Sequence, residues 1–337
     1  SITSVLGLGF AAGGITVLYK RIGNWLNLLQ FGFIVLISAP VFDAPWTRLL
    51  PLAHGSALLQ RAMVDGTRLW MFEPLEIGLL VAVDHSGEVV WYYRSGARIS
   101  DFKRLSNGHF AFITHDSRLV EIDLLGRIRR QWYAAGRPSG PGQGTPVDTL
   151  TFHHSFGELP NGNMLILGTD RRRLEDYYTS EWEAGAPRED QWVMGDEIVI
   201  FRPDGEVVWR WNAFEHLDPR RIGYLTFSGY WKRRGWPDTI DWSHANSVQY
   251  LEGEGAVLCN FRLQSAIVRI DRATGDIQWI AGEHSGWPER LRDRLLSLRG
   301  GDRWFWHQHD PAITPRGTLL LFDNDNFEAR PFEEPEP

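Results

Sequence analysis

The sequence predicts an all-β fold of the β-propeller class, preceded by an N-terminal hydrophobic helical segment. The first observation behind this is a phrase that recurs along the chain. His154 opens His-Ser-Phe-Gly-Glu-Leu-Pro-Asn-Gly, and His309 opens His-Asp-Pro-Ala-Ile-Thr-Pro-Arg-Gly. His244 opens a looser copy, and in a fourth copy, Ser100 to Gly108, serine stands where the others have histidine. Each copy reads as strand, turn and second apolar strand, and Asn-Gly is a strong hairpin signal because both residues tolerate positive φ. The second observation is another repeated unit: an apolar run, Asp, a turn Gly, an apolar run and Trp. It occurs at Leu79 to Trp91, Leu119 to Trp132, Ile198 to Trp209 and Ile267 to Trp279. Two hairpins per repeat make a four-stranded blade, and a period of about 40 residues with an aromatic signature is that of a propeller. Third, Gly 34, Pro 18 and Trp 16 in 337 residues supply the turns and large aromatics such a fold needs. Parts of five blades are visible.

The order of these units places the histidines. The histidine phrase follows the Trp-ending rim strand, so it is the innermost strand of the next blade. A recurring position in a repeat is a recurring place in space. His154, His244 and His309 are therefore expected to face one another at one end of the central channel. Adjacent strand residues face opposite ways, so His153 is expected to be structural. Insertions rich in Arg, aromatics, Gly and Pro at Tyr133 to Leu150, Asp170 to Asp196 and Asn212 to Asp241 are expected to be loops that build a binding surface.

The rest of the chain bounds the function. The net charge of −7 and the lack of a basic stripe argue against a nucleic-acid partner. The single cysteine, Cys259, excludes an intrachain disulfide framework and a multi-Cys metal site, and is expected to be a core thiol. Ile2 to Tyr19 and Trp25 to Phe42 are apolar, separated by Lys20 and Arg21. Each is near the minimum length for crossing a bilayer, and the basic residues follow the first apolar run, unlike a cleaved signal peptide. Residues 1–45 are thus expected to be a membrane anchor of one or two helices. Residues 46–66 are expected to be a linker, 67–327 the propeller, and 328–337 an acidic, Pro-rich tail or truncated end. Positive charge stays cytoplasmic, so a hairpin with Lys20 and Arg21 inside puts the propeller on the periplasmic side.

Asp241-Trp-Ser-His244-Ala-Asn246, then Asn260-Phe-Arg262-Leu-Gln-Ser-Ala, then Gln308-His309-Asp310-Pro, with His153-His154 before Leu-Pro-Asn-Gly, resemble the bacterial arylsulfotransferase family. The resemblance runs from about Gly78 to Asn326. It implies a six-bladed propeller that moves a sulfuryl group from an aryl sulfate donor to a phenolic acceptor through a transiently sulfated histidine. The matching nucleophile is His309, and the matching partners are His154, His244, Asn246 and Arg262. The secreted form of that family carries an N-terminal β-sandwich and a disulfide, in whose place this chain has its apolar segment.

The chemistry of these side chains fits such a role. A sulfuryl group in transfer spreads negative charge over three oxygens, for which Arg262 is a cationic fork and Asn246 a further donor. Neutral imidazole is a nucleophile, and a second imidazole serves as acid and base. Trp306, Trp242 and Tyr230 are candidates to stack substrate rings. No cofactor or metal is expected: three histidines suit Zn²⁺, but a guanidinium beside a dication is repelled. The competing reading is a membrane-tethered propeller without turnover, bound to membrane lipid and serving as an accessory or assembly subunit of a larger membrane complex.

Overall fold

The computed structural model describes residues 78–301, 303–314, 316–325 and 330–332. The expected anchor and linker lie outside these residues, as does most of the C-terminal tail. No helix among the described residues is long and apolar enough to cross a membrane. The chain divides into two compact units, Ser1–Arg98 and Ile99–Pro337. The first contributes one described hairpin, β1 (Leu79–Val83) and β2 (Val89–Arg94), closed at the Asp84–Gly87 turn.

The second unit holds three complete blades and a further hairpin. Blade one runs β3 (Ile99–Arg104), β4 (Phe110–Thr114), β5 (Arg118–Ile122) and β6 (Ile128–Ala134), with β7 (Thr145–Val147) added parallel to β6. Blade two runs β8 (His153–Glu158), β9 (Met164–Tyr177), β10 (Glu189–Phe201) and β11 (Val207–Asn212), with β12 (Thr239–Asp241) parallel to β10. Blade three runs β13 (Ala245–Leu251), β14 (Ala256–Phe261), β15 (Ala266–Asp271) and β16 (Ile277–Gly282). The hairpin β17 (His309–Ile313) and β18 (Leu319–Phe322) follows. The first strands β3, β8, β13 and β17 pack side by side in that order. Sequential antiparallel meanders joined through their first strands are the β-propeller arrangement.

Burial explains why the middle strands read as continuous apolar runs. Successive side chains of a strand point to opposite faces, and here both faces are covered. On β9, Met164 and Ile166 pack toward blade one, whereas Leu165 and Leu167 join the core shared with blade three. On β10, Val199 and Phe201 go one way and Ile198 and Ile200 the other. Cys259 lies in the same core, fully buried.

The recurring tryptophan links neighbouring blades. The Trp132 indole N–H donates to the Pro203 carbonyl at 2.9 Å, across from blade one into the outer turn of blade two. The Trp211 N–H donates to the Gly275 carbonyl at 3.0 Å, from blade two into the equivalent turn of blade three. Both indoles are 1% exposed. The residue of the repeat that does this in blade two is Trp211 and not Trp209, which is half-buried and outside this contact.

Two of the insertions are more ordered than loops. Asp170 to Asp196 lies largely within β9 and β10, which run past the blade as a two-stranded arm. The segment after β11 opens with the short helix α1 (Ala213–His216) and includes a 3₁₀ turn at Lys232–Arg234 before ending in β12. It lies close against β10: a Cβ at Gly195 would sit 2.6 Å from the Phe214 ring. This backing brings Tyr230, Trp231 and Arg234 to the histidines described below.

Replacing Trp211 by Ala removes a filled core volume and orphans the Gly275 carbonyl. A loss of about 3–5 kcal/mol is expected, measured by denaturant unfolding; Trp209→Ala should cost clearly less.

Candidate functional site

Each first strand begins with a register shift. It falls between Ile99 and Asp101 in β3, His153 and Phe156 in β8, Ala245 and Ser247 in β13, and His309 and Ala312 in β17. Such bulges re-aim side chains at the ends of sheets. Aligning the four hairpins on their turns, where Gly108, Gly162, Glu254 and Gly317 donate to Leu105, Leu159, Leu251 and Thr314, makes Ser100, His154, Asn246 and His309 equivalent. This corrects the expectation for the third copy. His244 stands two residues ahead of the shared position, on the tight turn into β13, and Asn246 occupies the position itself.

The three histidines nevertheless reach one cluster or its edge. The His154 and His244 rings are 5.0 Å apart, and Tyr230 lies 5.9 Å from His154 and 4.6 Å from His244. The Tyr230 hydroxyl is 3.4 Å from His154 Nε2. Both His154 and His244 have positive φ, 51° and 48°. Non-glycine residues occupy that region only when surrounding contacts hold them there.

Those contacts come from two buried carboxylates. Asp196 on β10 accepts from the Ala245 N–H at 2.6 Å and from the Ser243 hydroxyl, fixing the His244 turn from both sides. Its other oxygen is 3.2 Å from His153 Nε2, which also faces the Gly168 carbonyl at 3.1 Å. Burial alone would raise the Asp196 carboxyl. The His153 contact and charge, with the Ser243 and Ala245 hydrogen bonds, hold it below the usual carboxylate range. Asp241 accepts the Trp231 indole N–H at 2.9 Å on one oxygen and binds His244 Nδ1 with the other. The Nδ1–H of His244 is thereby committed, and its Nε2 is left to the cluster.

His153 is the residue that strand alternation misjudges. Its Nδ1 lies 2.9 Å from His154 Nδ1. The left-handed backbone at His154 breaks the two-residue alternation, so both rings turn to the same side. Asp196 was equally out of sight, because it stands in an insertion with no repeat to mark it. The adjacent His-His pair and the Gly195-Asp196 pair two strands away in the same blade were the available signal.

His309 enters from β17. Its Nδ1 donates to the His307 carbonyl at 3.1 Å, which leaves the lone pair on Nε2. The neighbouring backbone is pinned: the Gln308 carbonyl accepts from Asn246 Nδ2 at 3.0 Å and from Asn260 Nδ2 at 2.8 Å. Asn246 also accepts from Asn260 through its own oxygen. Asn246 is therefore occupied in positioning the residue before His309.

Electrostatics favour neutral rings and an anion. Burial, then His244, His153, Arg234 and His309, pushes His154 well below the ordinary imidazole value. Burial, Arg262 and His244 lower His309, offset in part by hydrogen bonds with His307 and Asn324. Burial also lowers the Arg262 guanidinium, against the pull of Asp241 and Tyr230. Among the described residues that guanidinium makes no hydrogen bond or ion pair, so its fork is open to an incoming oxyanion.

Two of the three expected ring-stacking residues stand elsewhere. Trp242 is fully buried, stacks on Phe214 at 4.9 Å and donates its N–H to the Arg221 carbonyl at 3.0 Å. It is core, with no face left for a substrate. Trp306 lines a separate cleft of about 250 Å³ with Arg221, Tyr224, His307 and Phe332. Tyr230 is at the cluster, but its ring already carries His154 and the Arg234 guanidinium, 3.7 Å from the ring centre. Its hydroxyl is the part directed at the chemistry. Among the described residues, no group of three or more His, Cys, Asp and Glu side chains is arranged to hold a metal ion.

Residues 67–336 match the sequence profile of the arylsulfotransferase (ASST) family. The chain belongs to that family. No curated protein sequence matches it. Solved structures with a similar fold include a protein of unknown function from Bacteroides caccae, at 14% identity and TM-score 0.36, covering 73% of this chain and 64% of that one. Virginiamycin B lyase from Staphylococcus aureus aligns at 12% identity and TM-score 0.38, covering 74% and 57%. The Swd1 β-propeller domain of Myceliophteria thermophila aligns at 14% identity and TM-score 0.35, covering 74% and 56%. The chain thus spans between 56% and 64% of the length of these three structures.

The neutral imidazoles of this arylsulfotransferase-family site link stability to pH with a definite sign. A histidine whose folded value is depressed binds its proton more weakly than in the unfolded chain. Its contribution is present above about pH 6.5, the unfolded value, and is lost as pH falls below it. Wild-type unfolding free energy should therefore decline with acid from about pH 6.5 downward. His154→Gln should flatten that decline before the carboxylates begin to titrate. An unchanged slope would show that His154 is not held neutral by the fold.

Proposed function

We propose that the protein transfers a sulfuryl group from an aryl sulfate to a phenol in two steps, with His309 as the carrier. The observation that carries this is an open, half-buried Arg262 guanidinium acting electrostatically on a His309 whose Nδ1–H is tied to a carbonyl. In the first step the His309 Nε2 lone pair attacks sulfur and the sulfur–oxygen bond to the aryl group breaks. The departing phenolate takes a proton from the imidazole cluster. In the second step the acceptor phenol gives its proton to the cluster, its oxygen attacks sulfur, and the nitrogen–sulfur bond returns its electron pair to His309. Arg262 faces the oxygens on which charge grows, and His244, steadied by Asp241, lies across from His154. Asn246 serves by fixing the backbone before His309. Membership in the arylsulfotransferase family supports this reading, and so does the lowered His309, which keeps the nucleophile unprotonated near neutral pH.

In this reading the apolar segments at residues 1–45 tether the domain to a membrane, with the propeller outside the cytoplasm.

The test is intact mass spectrometry of the full chain after exposure to an aryl sulfate without acceptor, quenched away from acid. One added sulfuryl group mapped to His309 is expected, and none in His309→Ala. Arg262→Ala should still fold, with turnover reduced about 10²–10³-fold, the usual loss on removing one strong oxyanion donor. No adduct and no phenol release across a panel of aryl sulfates would sink the enzymatic reading and favour an accessory-subunit role.

A further inference from the structure

The cluster contains more acid–base machinery than one histidine needs. Behind His154 lies a second imidazole, His153, and behind that a buried carboxylate, Asp196. The Nδ1 atoms of the two rings are 2.9 Å apart, and His153 Nε2 is 3.2 Å from Asp196 Oδ1. Two imidazole nitrogens at that separation hold one proton between them. The proton's side of the gap decides the tautomer of His154. With the N–H on His153, His154 accepts at Nδ1 and presents an Nε2–H to the cluster. With the N–H on His154, its Nε2 is bare. No other described histidine of the site has a second ring behind it: His244 meets Asp241 directly, and His309 meets a backbone carbonyl.

We propose that His153 and Asp196 form a proton store that serves the transfer reaction through His154. The inference rests on the sulfuryl-transfer reading and assigns the proton which that reading leaves to the cluster as a whole. In the free enzyme the store is charged: His153 carries both N–H groups, with Nε2–H on Asp196 and Nδ1–H on His154. When the donor's sulfur–oxygen bond breaks, the phenolate takes the His154 Nε2 proton. The Nδ1 proton of His153 crosses to His154 Nδ1, leaving both rings neutral. When the acceptor attacks, its phenolic proton goes to His154 Nε2 and the Nδ1 proton returns to His153. One proton leaves in the first half and comes back in the second, so the cycle balances without solvent.

The surroundings suit this arrangement. Around His154 stand His244, Arg234, Tyr230 and His309, and the cationic and imidazole groups among them lower it below its ordinary value, after burial itself. A positive charge is therefore disfavoured on His154. Around His153 stand the Asp196 carboxylate, the Gly168 carbonyl, the edge-on Trp231 indole and the His154 ring. Both acceptors lie on the Nε2 side of the ring, and His154 lies on the Nδ1 side. His153 and Asp196 never touch the substrate in this scheme; they are positioning residues that set the protonation state of the ring that does.

The experiment compares two donors of the full chain. A nitrophenyl sulfate releases a weakly basic phenolate that needs no proton, whereas unsubstituted phenyl sulfate needs one. His153→Gln retains hydrogen-bonding capacity but cannot carry the proton. Its kcat should fall about 10²-fold on phenyl sulfate, the usual worth of general acid catalysis, and only a few-fold on the nitrophenyl ester. Asp196→Asn should show the same split. Equal losses on both donors would mean that the pair only supports the fold, and would overturn the relay. A wild type that turns over neither donor fails the parent reading, and this one with it. If the variants do not fold, the wild type in mixtures of light and heavy water decides. Two protons in flight give a curved rate dependence with phenyl sulfate, and a straight line overturns the proposal.

Discussion

The site depends on one buried carboxylate. Asp196 binds the backbone N–H of Ala245, the hydroxyl of Ser243 and the ring of His153. Those partners belong to two blades. Without that anion the left-handed turn at His244 would lack its clamp and His153 its orienting partner. An uncompensated buried carboxylate is costly, and here three polar contacts hold it ionised. The same contacts hold two imidazoles in positions their backbone would not otherwise favour. Fold and chemistry meet in this residue: it is a structural knot whose release would loosen both histidine turns together.

A propeller makes such a site possible because its first strands converge. The β8, β13 and β17 strands come from three successive sheets; the first two are braced by cores on both faces and by indole bridges, and the β17–β18 hairpin packs one face on the core of blade three. The bulge at the start of each strand then turns a side chain out of the regular pleat. Rigidity behind and irregularity at the tip are complementary: the core absorbs the strain of positive φ at His154 and His244. The cluster is closed on one side by the segment between β11 and β12, whose Tyr230, Trp231 and Arg234 are foreign to the repeat. Trp231 steadies Asp241, and Arg234 lies over Tyr230.

The depressed imidazoles and the open guanidinium serve one electrostatic end. In the proposed reaction, a pocket that disfavours protonated histidine keeps a lone pair on His309 for attack. The same pocket leaves Arg262 as a fixed cation facing whatever anion enters. Charge that grows on transferring oxygens is then met by a group already in place, which is where electrostatic catalysis draws its strength. The proposed transfer also needs a proton for the leaving group, and the proposal keeps it on His153, the buried ring beside Asp196.

Much of this was legible in the primary structure. Apolar runs broken by turn glycines, the repeated tryptophan and the repeated histidine phrase determine an all-β repeat fold whose blade starts carry His154 and His309. The resemblance to the arylsulfotransferase family adds His244, Asn246 and Arg262. Tertiary structure decided the rest. The repeat alone aligned His244 with the others, but hairpin register assigns that place to Asn246, two residues further along, because the third hairpin carries a longer turn. Trp242 has the composition of a stacking residue, and only packing shows that Phe214 and the core take both its ring and its N–H. His153 was set aside by alternation, a rule that holds for regular strands and fails at a bulge with positive φ. Asp196 carries no motif: its role comes from a contact across 43 residues to His153 and 49 to Ala245. Local pattern encodes which elements form; which side chains meet depends on distant strands, whose geometry no local pattern contains.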